Sequence, residues 1–259
     1  MNLIQTVLLG AIAGFTIYLG LPIGRIKGIT QKTRSFLSMT STGILLFLFF
    51  DIFGQIAKPI EESLGQAHFI EFSIFLAILI AGLGIGLIGL IGFEQRFIRV
   101  RADAANQTIS PTRLSLLIAS GIGLHNFSEG LAIGQSAGRG EIALAAILII
   151  GFGLHNATEG FGIVGPLMGK EQPSWKFLGL VGLIGGGPTF LGTLVGYYLI
   201  STAMSILFLS LAAGALIYII GELFQANWKS VTKIQASWGL LVGFLFAFLT
   251  DLVLVFAGA

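Results

Sequence analysis

The chain has 259 residues, 55% hydrophobic and only 10% charged, with a mean hydropathy of +0.94. Soluble domains carry about 25% charged residues, so too few polar side chains are present to cover a water-facing surface, and a water-soluble globular protein is excluded. The net charge of +2 is too small to point to nucleic acid, and with no cysteine there are no disulfides and no thiolate metal sites.

In chain order, eight apolar runs reach the roughly 20 residues needed to cross a bilayer. They cover about 3–23, 36–57, 69–93, 113–137, 142–166, 176–199, 202–224 and 237–258. The ten-residue alternation of a β-barrel is missing, so all eight are read as helices. The fold class is therefore an all-α polytopic membrane protein, with residues 1–259 as one eight-span domain. The opening "MNLIQTVLLGAIAGFTIYLGL" has no basic n-region, so it is read as a retained first span and not a signal peptide. Glycines are frequent in the spans, as at Gly82, Gly86 and Gly89, and they offer small faces for close helix contact. "SPTR" at Ser110–Arg113 reads as the cap and first turn of span four.

Loop charges orient the bundle. The odd-numbered loops hold Arg25, Lys27, Lys32, Arg34, Arg96, Arg99, Arg101, Arg113, Lys170, Lys176, Lys229 and Lys233, twelve of the fourteen Lys and Arg residues. The even loops hold only Lys58 and Arg139. The positive-inside rule then places the odd loops in the cytoplasm and both termini outside.

Within this apolar chain one polar pattern occurs twice: "GIGLHNFSEG" at 121–130 and "GFGLHNATEG" at 151–160. On a helix, residues i and i+4 are about 40° apart and i and i+1 about 100°. His125, Asn126 and Glu129 thus share a sector of span four, and His155, Asn156 and Glu159 share one of span five. A short turn near residues 137–141 makes the two spans antiparallel neighbours, so the motifs face each other at similar depth. A carboxylate in hydrocarbon costs a few kcal/mol even on insertion scales, and two facing carboxylates repel. A divalent cation removes both penalties. Imidazole and carboxylate together suit Zn²⁺ or Fe²⁺, and also Mn²⁺. Without a thiolate the site holds its ion weakly enough to release it, as a transport path requires.

Other readings stay open on these residues. The polar groups could glue helices together through inter-span hydrogen bonds. An intramembrane metal-dependent hydrolase would want His-Glu-x-x-His on one helix, a string that does not occur. A membrane metal sensor that transports nothing would use the same ligands.

The chain resembles the ZIP (Zrt/Irt-like) family of divalent metal transporters. The resemblance rests on the eight spans, the outside termini and the paired His-Asn-x-x-Glu-Gly motifs, with "GPLMGK" and "GALIYIIGELF" as supporting strings. It implies a bundle with spans 1–3 and 6–8 as inverted repeats around spans 4–5. It implies metal movement into the cytoplasm, with Zn²⁺ first and Fe²⁺, Mn²⁺, Co²⁺ or Cd²⁺ as alternatives, and a homodimer. It implies no bound cofactor beyond the transported ion. Compactness points to a prokaryotic plasma membrane. The six motif residues match metal-binding positions of the family. Asp51 falls where many members have a span-two histidine and would be an outer ligand, with Gln55 near a common acidic position. Glu222 matches a span-seven acid and would assist release. His68, just beyond span three, reads as an exposed histidine without a metal role.

Three departures from the family pattern bear on mechanism. Ser128 and Thr158 stand where proline usually precedes the motif glutamate, and they are expected to bend the helices gently by bonding back to the i−4 carbonyl. Residues 94–112 contain no histidine, so a metal-gathering loop is missing. Span six reads Gly187-Pro188 where relatives carry Glu-Pro, so one acidic ligand is missing and a single core ion is expected.

Overall fold

The structure is a computed structural model. It describes residues 1–28, 30–93, 95–96, 110–169, 172–199, 201–227 and 232–257. Arg99, Arg101, Lys170 and Lys229 of the odd loops lie outside the described residues, as does most of the 94–112 connection. Among the described residues, eight spans are long and apolar enough to cross a membrane; they are built on α1 (Leu3–Phe15, its span completed by 3₁₀ turns to Arg25), α2 (Gln31–Gly65), α3 (Phe69–Phe93), α4 (Pro111–Gly138), α5 (Ile142–Val164), α6 (Trp175–Tyr198), α7 (Thr202–Asn227) and α8 (Lys233–Ala257). Large apolar side chains such as Ile80, Ile88, Leu183, Trp238 and Leu249 stand exposed on the outside of the bundle. In water that surface would aggregate, and in lipid it is the required one. The protein is an integral membrane protein.

Two bounds differ from the hydropathy reading. Span two is helical over Gln31–Gly65, well beyond 36–57. At 1.5 Å per residue it is about 50 Å long and projects past the hydrocarbon core. Hydropathy marks where the chain meets lipid, and a helix with good formers such as "EESL" continues into the polar zone. Span one changes character at Thr16, passing from α-helix into 3₁₀ turns over Thr16–Leu19 and Leu21–Arg25. This stretch crosses α5 closely. A Cβ on Gly20 would lie 2.4 Å from the Ala157 carbonyl, and one on Gly160 would lie 2.1 Å from that of Ile17.

The packing follows the inverted-repeat plan. α3 lies against α7, and its counterpart α8 lies against α2. α4 lies against α6, and its counterpart α5 lies against α1 and the 3₁₀ turn that follows it. One group of helices is α1, α4, α5 and α6; the other is α2, α3, α7 and α8; they meet mainly where α7 touches α4 and where α2 and α8 touch α5. The α4–α5 pair thus runs along the seam. Its register is set locally. Ser110 caps α4 by accepting from the Arg113 amide (3.4 Å), with Pro111 in the first turn. At the other end Glu141 N–H reaches Ser136 O (2.9 Å) and Gly140 N–H reaches Ala137 O (3.0 Å). This is a Schellman cap, and Gly140 takes the left-handed φ of +81° that it needs.

Candidate metal site

The tight Gly140 turn folds α5 back beside α4, and the two motifs meet at one depth. The His125 and His155 rings are 6.1 Å apart between centroids. His125 Nε2 lies 3.3 Å from Glu129 Oε1 and 3.9 Å from Glu159 Oε1, and His155 Nε2 lies 3.6 Å from Glu159 Oε1. One ligand atom each from His125, Glu129 and His155 falls within a 4.8 Å span. His125, Glu129 and His155 form the tight group, and Glu159 Oε1 borders it within reach of both histidine Nε2 atoms. Tetrahedral bonds of about 2.1 Å put neighbouring ligands about 3.4 Å apart, close to the separations seen. This donor set of two imidazoles and two carboxylates could hold a divalent transition metal.

The asparagines cross between the helices. Asn126 Nδ2 donates to Asn156 Oδ1 (2.6 Å) and to Glu159 Oε2 (3.0 Å). Asn156 Nδ2 donates to Glu129 Oε2 (3.4 Å). Each amide thus holds the far oxygen of the opposite glutamate and leaves the Oε1 atoms turned toward the histidines. Each amide is in turn tied to a neighbouring span: Asn126 to the Gly185 carbonyl of α6 (3.0 Å), Asn156 to the Ala13 carbonyl of α1 (3.2 Å).

All six motif residues are buried. Yet both ring nitrogens of His125, Nε2 of His155, Oε1 of Glu159 and Oδ1 of Asn126 have no hydrogen-bond partner among the described residues. The His–Glu contacts are close but not aligned as hydrogen bonds. Unpaired buried polar atoms are costly and rare, and several of these converge on one point. Helix-gluing contacts would instead be satisfied by each other.

The remaining residues divide. Asp51 is half-buried on α2, accepts from Gln55 Nε2 (2.8 Å), and lies within electrostatic reach of His125, Glu129 and Asp251. Gln55 is exposed one turn further along. Glu222 is not gathered with the motifs. Ile219 Cδ1 sits 2.7 Å from where a Gly121 Cβ would be, so Glu222 lies seven residues, about 10 Å of helix, from the His125 level. His68 is exposed and pairs with Glu71 (3.6 Å).

Two sequence expectations are corrected. Thr158 Oγ1 bonds to His155 O (2.7 Å), three residues back and not four, while Ser128 Oγ has no partner among the described residues, and both helices run unbroken through the motif. Gly187 does not face the site. A Cβ there would meet only Leu183, in an apolar cavity of about 330 Å³ with Phe15, Leu183 and Leu191. The α6 atom turned to the site is the Gly185 carbonyl, two residues earlier. The buried polar residues of α6, Thr189 and Thr193, lie further along the helix and do not mark which carbonyl of the glycine run faces the site.

Sequence reasoning also missed four contributors. The Ala13 and Gly185 carbonyls leave no mark on residue type. Phe47 of α2 stacks 6.5 Å from His155 and edge-on to Phe244 and Phe248 of α8 (5.5 and 6.0 Å), walling the site on the α2–α8 side. Asp251 lies within electrostatic reach of Asp51, and the one available signal was a lone acid inside span eight.

A search of curated protein sequences finds no match. A family model described as ZIP zinc transporter matches residues 99–251, more than half of the chain and including both motifs. The chain therefore belongs to the ZIP family, integral membrane transporters of divalent metal ions.

Proposed function

We propose that this protein carries Zn²⁺ from outside into the cytoplasm through a site made by His125, Asn126, Glu129, His155, Asn156 and Glu159, with Fe²⁺, Mn²⁺, Co²⁺ or Cd²⁺ as further substrates. The observation that carries this reading is the convergence of unpaired, buried nitrogen and oxygen atoms from two antiparallel spans. A divalent cation neutralises Glu129 and Glu159 and supplies the partner that both imidazoles lack. Asp51, with Gln55 above it and Asp251 opposite, attracts the ion toward His125, and Glu222 receives it on the far side. The site lies on the seam between two helix groups, so a small movement of one against the other changes which side it opens to. The working unit is a homodimer in a prokaryotic plasma membrane, as the family resemblance and the compact chain suggest.

Ligation needs neutral imidazole, so protons compete with the ion. Zn²⁺ affinity measured by calorimetry is expected to fall as the pH is lowered from 7.5 to 5.5, because the site binds the ion with neutral imidazoles and ionised carboxylates. Affinity that stays flat across this range would mean that protons do not compete with the ion at this site. Orientation has its own test, and the cysteine-free sequence gives a clean background. Arg139→Cys should react with an impermeant thiol reagent on intact cells, and Lys176→Cys should be protected. Both side chains are at exposed helix ends, so the opposite pattern would invert the assigned direction.

A further inference from the structure

Each motif asparagine is anchored to a backbone carbonyl of a flanking span, but the two anchors differ. On the α6 side, Asn126 donates to Gly185 O, and the residue three positions on is Pro188, which has no donor to add. On the α1 side, Asn156 donates to Ala13 O, and the residue three positions on is Thr16. Its hydroxyl lies 2.7 Å from that same Ala13 carbonyl and 2.5 Å from the Gly153 carbonyl of α5, two residues before His155. Thr16 sits where α1 gives way to the 3₁₀ turn, a junction where carbonyls lose their regular helical donors. A carbonyl has two lone pairs, so Ala13 O takes both the Thr16 hydroxyl and the Asn156 amide.

We infer that Thr16 is a positioning residue for the metal site: its single hydroxyl proton, shared between the Ala13 and Gly153 carbonyls, holds the end of α1 against the α5 turn ahead of His155, and the Ala13 carbonyl orients the Asn156 amide that holds Glu129. Thr16 does not touch the ion. It acts through Asn156, and the inference rests on the proposed metal-site reading. The hydroxyl has one proton for two carbonyls, so it also couples any slide of α1 along α5 to the placement of Asn156.

The test is Zn²⁺ affinity of the purified full chain in detergent, by calorimetry, for Thr16→Val, Thr16→Ser, Asn156→Ala and the double variant Thr16→Val/Asn156→Ala. Valine keeps the shape of threonine and deletes the donor, and serine keeps the donor. The expected result is affinity about fivefold weaker in Thr16→Val, the effect of one neutral hydrogen bond, near-wild-type affinity in Thr16→Ser, and no added loss from Thr16→Val once Asn156 is alanine. Wild-type affinity in Thr16→Val beside a weakened Asn156→Ala overturns this inference and leaves the site intact. Full additivity in the double variant also overturns it, because Thr16 would then act on the fold at large. Wild-type affinity in Asn156→Ala would overturn the role of Asn156 in the site itself. If Thr16→Val does not give monodisperse protein, Thr16→Ala, which only removes atoms, carries the same comparison.

Discussion

Glu129→Ala and Glu159→Ala should each cut metal flux at least about tenfold while leaving the protein inserted and folded. Changes even to outer partners of a metal ligand lower affinity about 10- to 100-fold, and these two carboxylates supply the oxygens that approach the two histidine Nε2 atoms. Each is buried, and the two are held on opposite faces of one small space. Without an ion they repel, so deleting one relieves strain in the resting protein. The metal-free thermal midpoint is therefore expected to equal or exceed that of the wild type. Glu129→Gln separates charge from shape, because the amide keeps the volume but cannot neutralise a cation; its flux should resemble that of alanine. Uptake per reconstituted protein together with a melting curve checks both halves. Wild-type flux in both alanine variants would remove these residues from the pathway.

Gly130→Val should severely damage the fold. A Cβ at Gly130 would sit 2.2 Å from Thr189 O, 2.8 Å from Thr193 N and 3.0 Å from Gly192 Cα, all backbone atoms of α6. The contact is reciprocal: a Cβ at Gly192 would be 2.1 Å from Phe127 O, and one at Gly196 would be 2.4 Å from Leu131 O. Backbone cannot swing aside as a side chain can, so α4 and α6 must separate, and separation draws the Gly185 carbonyl away from Asn126. Overpacking of this kind costs about 3 kcal/mol or more. The expected readout in detergent is loss of the monodisperse peak or a large drop in melting temperature. Gly84→Ala is the control: it has open space around it, and alanine improves helix propensity by up to about 1 kcal/mol. A Gly130→Val variant that melts like the wild type would contradict the packing described.

How much was legible in sequence follows from what kind of atom does each job. The motif residues stood out because a His, an Asn and a Glu repeated thirty positions apart have no other reason to sit in apolar spans. Helical geometry then fixed which of them share a face. The eight spans were legible from apolar run length, but the ends of α2 were not, because its helix outlasts its hydrophobic stretch. The rotation of α6 was not legible either. "LIGGGPTF" offers Thr189 as its one polar mark, which does not tell which glycine of the run faces the site, so Gly187 is expected at the site that the Gly185 carbonyl actually reaches. Carbonyl anchors at Ala13 and Gly185 are invisible in principle, because every residue has one. Phe47 was hidden among many phenylalanines, and only contact with His155 distinguishes it.

The most direct test of the central claim is metal uptake into proteoliposomes by the wild type and by His125→Ala/His155→Ala, over Zn²⁺, Fe²⁺, Mn²⁺, Co²⁺, Ni²⁺ and Cd²⁺. The prediction is protein-dependent uptake of Zn²⁺ and of some of the other ions by the wild type, and uptake at the protein-free background by the double variant. Equal uptake by the two proteins would contradict the claim that the paired motifs carry the ion.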